Sequence, residues 1–338
     1  MDGSLDIRLP FVLLNGPIHY TPELTGLEYL NASWRVMRQD RREFLSGNME
    51  TPISPVSDGP DTYNPRLSQL MVNRHKNTKE WWSREQTCED ISRIPMPIIS
   101  HRHLSTEHTV IGEGSFGIVA IRTMTGGKEV VTKSFEDDIS SEDILTEARL
   151  LACLRDTGCV PTMFGVCYSS DFRISIVQEY CAAGVTLYDV LTDEVYGLSN
   201  DTWLTIIKQI TRGLRDIHRK GVLLNDLKED NVLVDSRSPN VRAVFIDFGL
   251  ATFKQGRLYH ISEEERQLCA HLAPEVLTGQ PTRPSSDVYS LGRMLENISF
   301  ECDLCGLCAI ADGCLDCEPQ RPSTDCLVDW VDRLDPLL

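Results

Sequence analysis

Three glycines in the stretch GEGSFG, Gly112, Gly114 and Gly117, lie between two runs that read as β-strands, HTVIGEG and GIVAIRTM. Lacking side chains, they let backbone amides approach a phosphate chain closely. A G-x-G-x-x-G pattern serving a dinucleotide opens directly into a helix. Here it opens into a strand rich in Ile and Val, which excludes that fold and requires a glycine-turned hairpin. Glycines also mark ordinary hairpin turns, so the pattern gains meaning only from the residues downstream of it.

The next strand, VVTK, ends on Lys133. An ammonium on a buried strand is costly unless it is paired. The segment SSEDILTEARLLACL (140–154) has Ser140 as an N-cap and Ile144, Ala148, Leu151 and Leu154 on one stripe. Glu147 lies on that inward side and is the expected partner, giving a phosphate-positioning lysine oriented by a helix carboxylate. A strand follows at FRISIVQEY (172–180), then a long helix at DTWLTIIKQITRGLRDIH (201–218) with Trp203, Ile206, Ile207, Ile210, Leu214 and Ile217 inward. NVLV and AVFID read as two short strands, with more helix beyond. Strands first and helices later, with one crossover helix, predict an α+β fold of two lobes.

The stretch GVLLNDLKEDNVLV places Asp226, Lys228 and Asn231 together, and FIDFGLA places Asp247 directly after an apolar strand. Asn and Asp oxygens are the hard donors magnesium prefers, with substrate phosphates completing its octahedron. Asp226 is suited to accept a hydroxyl proton, and Lys228 to offset charge on a transferring group. LAPE (272–275), SSDVYSLG (285–292) and CEPQRPS (317–323) come next, in order.

With these residues in place, 105 to about 335 resembles a eukaryotic protein kinase domain of Ser/Thr type. The resemblance implies a small β-rich N-lobe with one helix (about 105–180) and a larger helical C-lobe (about 181–335). Gly112, Gly114, Gly117 and Val119 match the glycine-rich loop, Lys133 the phosphate-binding lysine and Glu147 its helix partner. Asp226, Lys228 and Asn231 match the catalytic loop, and Asp247-Phe248-Gly249 the magnesium-binding triplet. Glu179 and Cys181 match the hinge that offers backbone to adenine, with Leu233 beneath the ring. Glu275 is expected to pair with Arg321, and Asp287 to brace the catalytic loop. The implied activity is transfer of the ATP γ-phosphate to protein Ser/Thr hydroxyls, with ATP and Mg2+ as cofactors. The alternative is a pseudokinase that binds nucleotide or acts as a scaffold. A small-molecule kinase is disfavoured by the APE segment and Arg321.

The chain departs from the family pattern in four places. Leu224-Asn225 replaces His-Arg before Asp226; Leu224 can serve as an apolar packing element, while Asn225 cannot hold an activation-segment phosphate. Phosphorylation there is therefore not the expected on-switch, although Tyr259 and Ser262 are available in sequence. Val131 replaces a small alanine over adenine. QLCAHLAPE lacks the threonine usual before APE. Only 34 positions separate Asp287 from Arg321, which implies a trimmed docking surface in the C-lobe.

Residues 1–100 have a different texture and read as a largely flexible extension where a regulator could bind. A helix is suggested at 21–45; a Pro/Ser-rich stretch at 51–66 reads as a solvated linker, favoured over the alternative of Thr51 and Ser54 as proline-directed sites; and RIPMPII (93–99) reads as an extended joint. Asn31 heads a sequon without meaning in a cytosolic chain. The net charge of −17 repels nucleic acid and anionic membranes. An acidic amino terminus with a short apolar run argues against a secretory signal, and no stretch is long enough to span a membrane. The expected location is cytoplasmic, with the nucleus open. Twelve cysteines fit reduced thiols. Cys302, Cys305, Cys308, Cys314 and Cys317 have metal-like spacing, with helix packing as the rival reading. The eight histidines are scattered, none beside a plausible nucleophile, and His218 ends a helix where a cation is favoured.

Overall fold

The computed structural model describes residues 90–114, 117–169, 173–236, 241–263 and 266–334. The helix read at 21–45, the linker at 51–66 with Thr51 and Ser54, and Asn31 lie outside them. Six strands build one sheet: β1 (Ile98–Ser100), β2 (Leu104–Gly114), β3 (Gly117–Met124), β4 (Lys128–Phe135), β5 (Met163–Tyr168) and β6 (Ile174–Glu179), in the spatial order β1-β5-β6-β4-β3-β2. The pairs β2–β3 and β3–β4 are antiparallel hairpins. Gly117 has φ +129°, and a Cβ there would fall 1.9 Å from the Ser134 carbonyl oxygen, so only glycine fits this start of β3.

The stretch that reads as a proline-marked joint ends as an edge strand. Ile98 and Ser100 lie opposite Val166 and Tyr168 in a parallel pair, and the Val166 amide donates to the Pro97 carbonyl at 2.8 Å. Prolines lack an amide donor and suit a sheet edge, and here they lead directly into the pairing residues. Residues 98–100, read as part of the flexible extension, thus belong to the folded sheet.

Helix α1 (Ser141–Cys153) is capped by Ser140, whose hydroxyl accepts the Asp143 amide at 3.1 Å. Its stripe of Ile144, Ala148 and Leu151 is buried and packs on β5 and β6. The helical lobe begins with α2 (Leu187–Thr192) and α3 (Asn200–Arg219), the latter capped by Ser199. All six apolar residues expected to face inward from α3 are buried. Each such side chain contributes about 1.5–3 kcal/mol on burial, which makes α3 the central post of this lobe.

Two short ribbons come after α3: β7 (Val222–Leu223) with β10 (Thr252–Phe253), and β8 (Val232–Asp235) with β9 (Arg242–Phe245), both antiparallel. The remaining helices are α4 (Pro274–Leu277), α5 (Pro284–Ser299), α6 (Leu307–Leu315) and α7 (Thr324–Asp332). Residues 300–306 connect α5 to α6 with no helix between, as the short interval before Arg321 suggested. A Cβ on Gly292 of α5 would lie 2.6 Å from the Cys314 Cβ, so these helices meet almost backbone to backbone.

This contact absorbs part of the cysteine cluster. Cys302 and Cys314 are buried, whereas Cys305 and Cys317 are exposed. Among the described residues no group of three or more His, Cys, Asp or Glu side chains is placed to hold a metal. Nor is any described helix long and apolar enough to cross a membrane.

Candidate active site

Register in the sheet puts Lys133 of β4 opposite Val119 of β3 and Ile176 of β6. Its Nζ lies 2.8 Å from Glu147 Oε1 on α1 and 2.9 Å from Asp247 Oδ1. Burial alone would lower the lysine pKa; the carboxylates of Asp247 and Glu147 outweigh it and raise it, so the ammonium stays charged. One cation thus ties sheet, helix and the loop after β9 into a single unit.

The β8–β9 ribbon sets two more groups at one end. Asn231 precedes β8, and Asp247 follows β9 by two residues, in left-handed backbone at φ 60°. The Ile246 amide donates to the Asn231 carbonyl at 2.9 Å, which holds the two ends in step. Asn231 Nδ2 donates to the Asp226 carbonyl at 2.8 Å and to its Oδ2 at 3.1 Å, and Lys228 Nζ lies 3.0 Å from the same Oδ2.

Asp226 has a further partner that reading the sequence alone missed. His271 Nε2 is 2.8 Å from Asp226 Oδ1, and a carboxylate can only accept, so the imidazole donates. The imidazole arrives there because the segment before Ala273 folds back over the catalytic loop. Burial pushes the Asp226 pKa up, but the hydrogen bond and charge of His271, then Lys228, outweigh it and hold the value at about 2.

Below Asp226 the loop hangs from Asp287 of α5. Asp287 Oδ2 accepts the Leu224 amide and Oδ1 the Asn225 amide, each at 2.9 Å. His218, read as a helix-end cation, has its Nε2 2.9 Å from Asp287 Oδ2 and is buried. Leu224 and Phe248 share one buried apolar cluster with Leu151 and Met163.

Asn225, at φ 66°, is a knot between segments. Its Nδ2 donates to the Leu250 carbonyl at 2.8 Å and to Thr252 Oγ1 at 3.0 Å, while Oδ1 accepts from Thr282 Oγ1 at 2.6 Å. The Tyr259 hydroxyl donates to the Asn225 carbonyl at 3.1 Å. Tyr259 is buried, so it is not the accessible hydroxyl that its position in sequence suggests; Ser262 is exposed.

The hinge side is built from the end of β6. Leu233 of β8 bridges to Thr186, and the Val234 amide donates to the Val185 carbonyl at 2.9 Å, which brings β8 under the connection. Cys181, Leu233 and Val244 form a small apolar cluster there. The Glu179 side chain is engaged with Arg242, Nη1 to Oε1 at 2.6 Å, and accepts the Thr162 amide at 3.0 Å. Of the glycine loop, Gly112 lies opposite Val119, and Gly114 pairs with Gly117. Arg321 meets Glu275 through two parallel bonds at 2.6 and 2.9 Å, closing the far end of the segment that starts at Asp247.

Comparison with known proteins agrees with this geometry. The protein kinase domain family matches residues 105–306, more than half of the chain. The chain belongs to that family. A protein of Arabidopsis thaliana named "Probable LRR receptor-like serine/threonine-protein kinase" is 34% identical over 196 residues, covering 55% of this chain and 20% of its own. One of Dictyostelium discoideum named "Probable serine/threonine-protein kinase" is 29% identical over 258 residues, 75% of this chain and 24% of its own. Protein kinase C epsilon type of Rattus norvegicus is 28% identical over 195 residues, 55% of this chain and 25% of its own. The chain thus spans a quarter or less of these relatives' length.

Proposed function

We propose that this chain transfers the γ-phosphate of ATP to serine or threonine hydroxyls of proteins. The observation that carries the reading is Lys133, held at once by Glu147 at 2.8 Å and Asp247 at 2.9 Å. This arrangement sets the ammonium for phosphate oxygens and leaves Asp226 and Asn231 at the neighbouring loop. Two of these relatives bear serine/threonine-protein kinase names and support the acceptor class, as does the stretch DLKEDN.

In this reading Gly112, Gly114 and Gly117 allow backbone amides near the phosphates, and Lys133 positions them. Val119, Leu233 and the hinge backbone at Glu179 and Cys181 receive the adenine. The oxygen donors of Asn231 and Asp247 suit magnesium, which would neutralise charge on the phosphate oxygens. Asp226 orients the acceptor hydroxyl and receives its proton, and Lys228 offsets charge beside it. Asn225 holds the activation segment by neutral hydrogen bonds, which supports a site that works without a phosphate there.

The test is transfer of labelled γ-phosphate from ATP and magnesium to the chain itself and to myelin basic protein. Asp226→Asn and Lys133→Met run alongside. Transfer in the wild type that is lost in both variants is expected. Transfer no greater than in the variants, with an intact ATP-dependent thermal shift, would replace the enzyme by a nucleotide-binding scaffold.

A further inference from the structure

We propose that His271 is a positioning residue of the acceptor site, holding the Asp226 carboxylate and forming one wall of the seat for the incoming hydroxyl. The inference rests on the kinase reading and deepens it.

A carboxylate offers about four lone-pair sites, two on each oxygen. At Asp226 three are occupied. Lys228 and Asn231 take both sites on Oδ2, at 3.0 and 3.1 Å, and His271 takes one on Oδ1 at 2.8 Å. The remaining site is on Oδ1, beside the imidazole. A hydroxyl donating there shares Oδ1 with His271 and sits within about 5 Å of Nε2, since each partner keeps ordinary hydrogen-bond length from the same oxygen. Acceptor and imidazole are therefore neighbours by count.

The imidazole is not a passing surface group. Its side chain is 19% exposed, and the His271 carbonyl accepts from Ser290 Oγ of α5 at 2.7 Å. Leu272 and Ala273, next in sequence, are buried, and Glu275 behind them is fixed by Arg321. The ring is thus delivered by the folded activation segment, whereas Lys228 and Asn231 belong to the same loop as Asp226. His271 is the hydrogen-bonding side chain through which the order of that segment reaches the carboxylate, among the described residues. Disorder there would free Oδ1 to rotate away from the acceptor.

The experiment uses the full chain, with myelin basic protein as acceptor. His271→Ala removes the donor, while His271→Gln keeps an amide N–H of similar reach. His271→Ala should lower kcat/KM for the acceptor at least tenfold, with KM for ATP within twofold of wild type. His271→Gln should recover to within about threefold of wild type. Equal acceptor kinetics in wild type and His271→Ala would overturn the proposal, as would a glutamine variant no better than alanine, or a loss shared equally with KM for ATP. If His271→Ala does not fold, 15N-histidine spectra of the wild type decide. A protected Nε2 proton assigned to His271 that is lost in Asp226→Ala, which removes the acceptor, supports the contact, and its absence in the wild type overturns it. Failure of the underlying reading shows separately, as a wild type without transfer, whether or not ATP stabilises it.

Discussion

Oδ1 of Asp287 accepts the backbone amide of Asn225 at 2.9 Å across 62 residues of sequence, inside the protein. The other oxygen accepts the Leu224 amide and faces His218. An asparagine at 287 offers one acceptor oxygen where two are used. Leaving a buried donor unmatched costs about 1–3 kcal/mol. Asp287→Asn should therefore lower stability by roughly that much in urea titration and, by loosening Asp226, lower transfer more than it lowers stability.

Asn225 allows its conformational and bonding roles to be separated. Its φ of 66° is left-handed, a region that costs a residue with a Cβ about 1–2 kcal/mol. Asn225→Gly keeps the backbone and deletes the side chain, leaving the buried Thr282 hydroxyl without its acceptor for about 1–3 kcal/mol, while Thr252 still donates to the Gln255 carbonyl. Asn225→Ala should cost about 1 kcal/mol more than glycine. Denaturant midpoints of the two variants read that difference directly, and equal midpoints would refute backbone strain at this position.

Activation-segment phosphate should be dispensable. The tie from Asn225 to Leu250, Thr252 and Thr282 uses neutral groups throughout. Protein treated with phosphatase, and shown by mass spectrometry to carry no phosphate between 247 and 275, should keep its initial rate of transfer. A rate that falls with phosphate removal and returns on rephosphorylation would contradict this.

The two outer glycines should respond differently. A Cβ at Gly117 meets Ser134 O at 1.9 Å and Phe135 Cα at 2.8 Å, both backbone, whereas at Gly112 the nearest contact is Val119 Cβ at 3.7 Å. Gly117→Ala should disrupt the β3–β4 register and abolish the ATP-dependent thermal shift. Gly112→Ala should fold like the wild type and retain most of the shift.

The hinge clamp carries a pH signature. The hydrogen bond from Arg242 first, then the Thr162 amide and the Arg242 charge, hold the Glu179 pKa at about 2 against the opposing effect of burial. A depressed carboxylate stabilises the fold above its unfolded pKa, near 4.5, and that contribution is lost as pH falls toward the folded value. The gap in Tm between wild type and Glu179→Gln should be constant from pH 7 to about 5.5 and narrow below it. A gap that widens on acidification would exclude the clamp as its source.

Local pattern and motif order made much of the architecture readable. The stripes of α1 and α3, the glycine hairpin and the set Lys133, Glu147, Asp226, Asn231 and Asp247 all announce themselves by spacing. Contacts formed only after the chain folds back did not. His271 carries no periodicity, and only the return of the activation segment over the catalytic loop brings it to Asp226. Arg242 and Glu179 are 63 residues apart and belong to elements that read separately as ordinary strands. Tyr259 reads as a loop hydroxyl because its burial comes from packing with Cys269, Leu272, Ala273 and Val276. The strand at 98–100 is hidden by flanking prolines and by a parallel partner far along the chain, at Val166 to Tyr168.

That strand has a practical meaning for where this protein can be cut. The family match begins at residue 105, yet β1 covers the edge of β5, and Ile91 and Met96 pack against the main core. An excised domain starting at 105 would present a bare row of β5 backbone groups, a template for pairing with another copy. The smallest soluble fragment should therefore start near residue 90, ahead of the point where the family match begins.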